Sequence, residues 1–386
     1  MFKGLLDYQD GKIPFIIDNY QMNLFSEKEL VTLFVKEYNF KTNYILTGQC
    51  FDVGNTPRDI TLLVEKSMGS TCYLTCFIVN NLSSDKKIDS INFESRLLDS
   101  IFRYKYHYLD LSRAGVNLAA EQTEVYSIPF NICGSKYELK YLIGQNHRMG
   151  LLESFKMRGK TSVFLHTAQI EECYRITLLM NRFSKFITST ADVTFERVTL
   201  SANEFAVADF YSKCVSNNPA VDLDVLFCEF PVMKYTAKIL DNLAFELDSK
   251  ITKSIPLGHI TNYDNIYTPH RFMEQITAFE YLFEKLEPQK AKNNKFPLIT
   301  ELKLMFDAFP EILNGVHINS NEIANLIKEL RRNIVHGYAY YYDFNNEPNI
   351  QFCIIKIADL IQRMSLKLIG FDNYEISEFR KIVIAF

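Results

Sequence analysis

Near its C-terminal end the chain reads LIKELRRNIVHGYAY, residues 326–340. Four residues separate Arg331 from His336 there, Arg332 and Asn333 among them. These residue types point to a definite chemistry. Histidine takes up and releases a proton near neutral pH. Arginine is a permanent planar cation that holds two oxygens of an anion at once. Together they suit a reaction in which a proton moves while negative charge builds on a phosphoryl group. At about 100° per helical residue, Arg331 lies about 140° from His336 and Arg332 only about 40°. Either arginine can therefore reach a phosphate held near the imidazole, and the sequence leaves the choice open. Asn333, close to one turn before His336, is placed to orient the ring. Plainer roles fit the same residues. His336 can be a cation at the negative end of a helix, and Arg331 and Arg332 a solvated face paired with Glu322 and Glu329.

Such groups need a helix to carry them, and the periodicity predicts one. Asn319 or Ser320 is a suitable cap, and Ile323, Leu326, Ile327, Leu330 and Ile334 form an apolar stripe. Val335 joins Leu330 and Ile334 as an anchor on one side, and Gly337 is the stop. Three further helices are expected around it. Residues 270–289 place Phe272, Ile276, Phe279, Phe283 and Leu286 along one face. Residues 297–313 begin on Pro297 and kink or end at Pro310. Residues 350–371 complete a four-helix bundle spanning 256–386. A stretch with Pro, Gly and Asn near 251–268 marks its boundary.

Residues 1–185 read differently. Short runs rich in β-branched and aromatic residues recur, among them KIPFIID, LVTLFV, NYILTGQCF, TCYLTCFIV and YRITLLM, each bounded by turn formers. A β-rich, sandwich-like domain is expected. Residues 186–255 are expected to be a mixed segment. Ser201 and Glu204 match a capping box for a following helix, and residues 224–237 a pair of strands. The fold class is therefore α+β, with the β-rich region before the helical bundle. Cys72 and Cys76 in a strand would face the same side, as buried thiols rather than metal ligands.

The third helix and its setting resemble the HEPN ribonucleases, whose motif is Arg, four to six residues, then His. The resemblance covers roughly 265–370, including AFEYLFEKL as the acidic, aromatic first helix. A β-rich region ahead of such a bundle is similar to the layout of ApeA-type anti-phage defence proteins. One departure is that Arg332, rather than Asn, Asp or His, directly follows the motif arginine. The resemblance implies Arg331 and His336 as the catalytic pair. Arg332, Asn333, Glu280 and Tyr338 would support them, with the tyrosines after Gly337 available for base stacking. It implies cleavage of RNA, whose 2′-hydroxyl is a built-in nucleophile, with 2′,3′-cyclic phosphate and 5′-hydroxyl products and no metal or cofactor. It also implies a homodimer that brings two motif helices together, an abortive-infection role, and a β-rich region acting as sensor, with a phage protein as possible trigger. The Arg-x4-His-x-Tyr form also matches toxins silenced by a nucleotidyltransferase, with Tyr338 as the modified residue. A non-enzymatic dimerisation or binding protein is the remaining alternative.

Composition limits these readings. The net charge is -4, without the basic excess that grips long nucleic acid. Residues 256–386 carry 14 Lys and Arg against 16 Asp and Glu, a net of -2, which favours a local, shape-defined RNA such as a tRNA loop. His107, in the basic-aromatic run RYKYHYLDL, is a weak candidate for RNA contact. Eight cysteines without regular spacing do not form a disulfide framework. No signal peptide and no stretch approaching about 18 apolar residues is present, so a cytoplasmic protein without a membrane span is expected.

Overall fold

The computed structural model describes residues 1–25, 28–51, 56–80, 87–103, 123–132, 134–145, 157–188, 193–203, 205–216, 226–227, 232–248, 268–292, 296–337, 347–378 and 383–384. The chain is α+β and divides into two compact units, Met1–Asn181 with Val193–Asp224, and Arg182–Asp192 with Val225–Phe386.

The first unit starts with β1 (Phe2–Tyr8), β2 (Gly11–Asp18), β3 (Gln21–Leu24), helix α1 (Lys28–Tyr38), β4 (Thr42–Phe51), β5 (Pro57–Met68) and β6 (Thr71–Asn80). These strands pair antiparallel in the order β3-β2-β1-β4-β5-β6, and β6 pairs back onto β3. Six strands thus close into a barrel. Alternate residues point inward, and Leu6, Ile13, Phe15, Ile17, Met22, Leu46, Leu62 and Val64 fill the interior. The expected sandwich is replaced because β3 bonds to β6 instead of leaving an open edge: one sheet curls round its own core. Thr71 Oγ1 donates to Asn23 Oδ1 across the closing seam (2.9 Å).

The sheet then continues from β6. Strand β7 (Ser90–Glu94) is followed by α2 (Arg96–Arg103), β8 (Thr123–Ile132), β9 (Ser135–Gln145), β10 (Met157–Phe164), α3 (Ile170–Thr188), β11 (Arg197–Ala202) and β12 (Phe205–Ser212). The order outward from β6 is β12-β11-β7-β10-β9-β8. Strand β6 therefore has three partners. Its first residues pair with β3 and its last with β12. The exchange happens at a bulge: Leu63 pairs with Cys76 but Val64 with Leu74, leaving Thr75 as an extra residue. An extra residue reverses the alternation. Cys72 and Leu74 face the barrel, then Phe77 and Val79 do. Cys72 and Cys76 consequently face opposite sides, contrary to the simple strand reading. Cys72 lies against Tyr44 and Ser67, while Cys76 lies near Cys173 of α3 and Cys214, its thiol pushed well up by burial.

Other local expectations fail for identifiable reasons. LVTLFV lies in α1, where Phe34 and Tyr38, four apart, stack on each other (4.7 Å) and Phe34 packs against Tyr8; tertiary packing overrides β-propensity. YRITLLM lies within the 19 residues of α3. Buried Ile170, Cys173, Ile176, Met180 and Phe183 there show the three-to-four spacing that a seven-residue window conceals. Ser201 lies within β11 and caps no helix, and Glu204 lies outside the described residues. Ala202 pairs with Phe205 and Asn203 takes φ 50°, so β11 turns directly back into β12. Both strands sit centrally in the sheet, which joins residues 193–224 of the expected middle segment to the β unit.

In the second unit, β13 (Leu226–Phe227) precedes α4 (Val232–Asp248), which takes the last six residues of the stretch 224–237 expected to form paired strands. There follow α5 (Pro269–Leu286), α6 (Pro288–Ala291), α7 (Leu298–Ala308), a 3-10 turn at Pro310–Leu313, α8 (Ser320–Val335), α9 (Pro348–Leu368), α10 (Asn373–Glu378) and β14 (Val383–Ile384). Helix α5 packs along α9, and α7 along α8, which also touches α5 and α9. Their shared core includes Phe272, Phe279 and Phe283 of α5, Phe306 of α7, Ile327 of α8 and Ile357 and Ile361 of α9. Lys356 Nζ donates to the Ile312 carbonyl (2.6 Å), and Arg363 pairs with Glu311 (2.7 Å), tying α9 to the 3-10 turn. Among the described residues no helix is long and apolar enough to cross a membrane.

The barrel generates a sharp prediction. Where β1 crosses β4, Leu6 pairs with Gly48, and a Cβ on Gly48 would overlap the Leu5 carbonyl and the Leu6 Cα. These are backbone atoms in a closed sheet, so they have little room to yield. Gly48→Ala is expected to lower unfolding free energy by about 1–3 kcal/mol, the range for overpacking, read as a lower urea midpoint. An unchanged midpoint would show that the strands can separate there.

Candidate functional site

Helix α8 is defined at both ends by its own sequence. Asn319 accepts hydrogen bonds from the amides of Asn321 and Glu322, and the Glu322 carboxylate accepts one from the Asn319 amide. This is a complete capping box. Ser320 Oγ donates to Asp307 Oδ1 (2.5 Å), fixing the start of α8 to the end of α7. At the other end the His336 amide donates to the Arg332 carbonyl (3.0 Å) and the Gly337 amide to that of Ile334 (3.1 Å). Gly337 takes φ 78°, the left-handed stop that glycine adopts without strain. His336 is therefore the C-cap residue, with φ -86° and ψ 7°. Its ring stands at the C-terminal end of the helix.

Ile323, Ala324, Ile327 and Leu330 are buried. Leu326, expected in that stripe, is on the exposed side, and Ile334 is half-buried. Val335 is not an anchor: it is 62% exposed. It belongs instead to an open groove of about 400 Å³, lined by Pro297, Leu298, Ile299, Lys328, Arg331, Arg332, Val335 and His336. The groove lies where α7 begins and α8 ends. It unites Arg331, Arg332 and His336, three of the residues expected from sequence. Asn333 is half-buried and is not part of this wall. Tyr338 and His107 lie outside the described residues.

Glu280 of α5 reaches the site through Arg331, Oε1 to Nη2 at 3.2 Å. Arg332 pairs within its own helix with Glu329 at 2.5 Å. Glu301 of α7 feels both Glu280 and Arg331, so three helices bring charges to one place. Arg331 and Glu280 are each about two-fifths exposed (39% and 41%). A pair that open contributes on the order of 0–1 kcal/mol, so it positions the guanidinium more than it stabilises the fold. Arg331 Nε is buried without a hydrogen-bond partner among the described residues. The arrangement can hold an anion between two guanidinium groups and offer it an imidazole. Among the described residues no cluster of three or more His, Cys, Asp or Glu is placed to hold a metal ion.

Sequence reasoning missed Lys328, Glu301 and the α7 wall. Lys328 was accessible to it, being three and four residues before the two arginines and so on their face. Leu298, Ile299 and Glu301 carry no such signal, because they join the site only when α7 packs on α8.

Glu301 yields a test of this electrostatic picture. Its carboxyl is pushed above the usual range by partial burial first and by Glu280 second, with Arg331 pulling the other way. An acid whose folded pKa is raised binds its proton more firmly in the folded chain. Stability from it is present at low pH and lost as pH rises through that pKa. Glu301→Gln is therefore expected to melt above the wild type near neutral pH, with the gap closing as pH falls below the carboxylate range. Thermal melts across pH check this, and a gap independent of pH would refute it. Comparison of the chain with protein-family models, with curated proteins and with solved structures finds no match.

Proposed function

We propose that the chain is a metal-independent endoribonuclease and that its helical unit is a HEPN-type four-helix bundle. The observation that carries this reading is the single groove walled by Arg331, Arg332 and His336. In the proposed reaction a ribose 2′-oxygen attacks the adjacent phosphorus as its proton is removed. The bond to the 5′-oxygen of the next nucleotide breaks, and that oxygen receives a proton. The strand is left with a 2′,3′-cyclic phosphate and a 5′-hydroxyl. His336 moves a proton, and the guanidinium groups hold the non-bridging oxygens as charge gathers on them. The Glu280 contact to Arg331 is weak enough to yield to charge-assisted bonds from a phosphate.

One groove contains one histidine, whereas the reaction takes a proton at one oxygen and delivers one at another. A homodimer that sets two α8 ends side by side supplies the second imidazole and is part of the proposal. The net charge of -2 over residues 256–386 favours local capture of a structured RNA such as a tRNA loop over binding along a length of strand. Within this reading the β-rich unit is the sensor of an anti-phage abortive-infection effector in the cytoplasm, with a phage protein as trigger.

Purified full-length wild type and His336→Ala, incubated with total cellular RNA in EDTA and in lysate from phage-infected cells, test the proposal. Wild type is expected to leave cyclic-phosphate ends, with cleavage by the variant reduced by about 10²–10⁴-fold and its circular dichroism unchanged. Equal cleavage by both, or none by either in resting and infected lysates, would reject the nuclease.

A further inference from the structure

The reaction above uses one wall of the groove and leaves Lys328 and the start of α7 without a role. Lys328 lies one turn before Arg331 and Arg332 on the same face of α8. The two arginines are engaged by Glu280 and Glu329. Lys328 is exposed and makes no ion pair among the described residues, although it lines the same groove. From Lys328 to His336 is eight residues, a helical rise of about 12 Å. An anion at the imidazole therefore leaves space for a second beside it.

The α7 side is of another kind: Pro297, Leu298 and Ile299 line it. Val335, four residues after Arg331 on α8, sets an exposed isopropyl group beside the cations at that end of the groove. Pro297 caps α7 without any side-chain hydrogen bond, so the positive end of that helix is also at the groove. Cations along one side and apolar carbon along the other match a ligand with the same two faces. An unpaired nucleic-acid strand is such a ligand, with phosphates on one edge and flat bases on the other. A duplex turns its base faces inward and offers no surface to the apolar wall.

Resting on the nuclease reading, we propose that Lys328 holds the phosphate next to the one being cleaved. Leu298, Ile299 and Val335 receive the face of the intervening base. The groove thereby selects unpaired RNA at its cut site, and Lys328 contributes to binding and not to the bond-breaking step.

The test uses full-length protein and a short labelled 2′-O-methyl oligoribonucleotide of mixed sequence, which lacks the free 2′-hydroxyl and stays intact. Anisotropy is followed against salt for the single strand and for the same strand annealed to its complement. Wild type is expected to prefer the single strand. Lys328→Gln is expected to weaken binding and to lower the slope of log affinity against log salt by about 0.7, one phosphate contact on a single strand. Lys328→Arg is expected to restore it. Val335→Ser is expected to weaken binding with the slope unchanged. In cleavage of natural RNA, Lys328→Gln is expected to raise KM and leave kcat as it was. Binding and slope unchanged in Lys328→Gln, equal affinity for the duplex, or no binding by wild type would overturn the proposal. Wild type that binds the strand as described yet cuts no RNA would overturn the nuclease reading and leave the groove assignment standing.

Discussion

The candidate site depends on one balance of charge. Arg331 stands between carboxylates from two other helices, Glu280 of α5 at 3.2 Å and Glu301 of α7. Without the cation two half-buried acids would repel each other across the helix contact. Without the acids the guanidinium would have no fixed direction. Each contact is weak at this exposure, so the balance orients the groups while leaving them open to exchange. A strong buried pair would resist an incoming anion. A lone surface arginine would present itself in many rotamers and lose entropy on binding.

The helix ends complete the arrangement. The capping box and the Ser320 contact to Asp307 fix where α8 begins. Gly337 fixes where it ends, and the α7 start meets that end because the two helices pack along each other. His336 thus sits at the helix end and lines the groove with both arginines. Arg331 and Arg332 point about 100° apart on an ideal helix, yet both line one groove with the imidazole.

Much of this end of the chain is legible in its sequence. A cap at Asn319 or Ser320, the Gly337 stop and the buried face of α5 follow from local chemistry, since a cap or a stripe is written within a few residues. The groove's second wall was not legible, because Leu298 and Ile299 are distant in sequence from His336 and neither is unusual by itself. In the β unit the same distinction holds. Strand β2 alternates clearly, while α1 and α3 hide short β-like runs inside helices whose packing decides their form. The barrel's closure depends on β3 meeting β6, and the bulge at Thr75 that redirects β6 has no mark in TCYLTCF.

The order of strands in the first unit carries a consequence for its synthesis. The six barrel strands are contiguous in the chain, and β7 to β10 follow as a second block. Between these blocks in the sheet lie β12 and β11, the last strands of the unit to be made. A nascent chain can close its barrel while the later strands are still in the ribosome, as N-terminal parts fold first. The second block, in contrast, has no hydrogen-bonded route to the barrel until residue 212 has emerged. During that interval the outward edge of β6 and one edge of β7 are both unpaired, and edges of that kind invite pairing with other chains. The hairpin turning at Asn203 ends the exposure of both edges in one step.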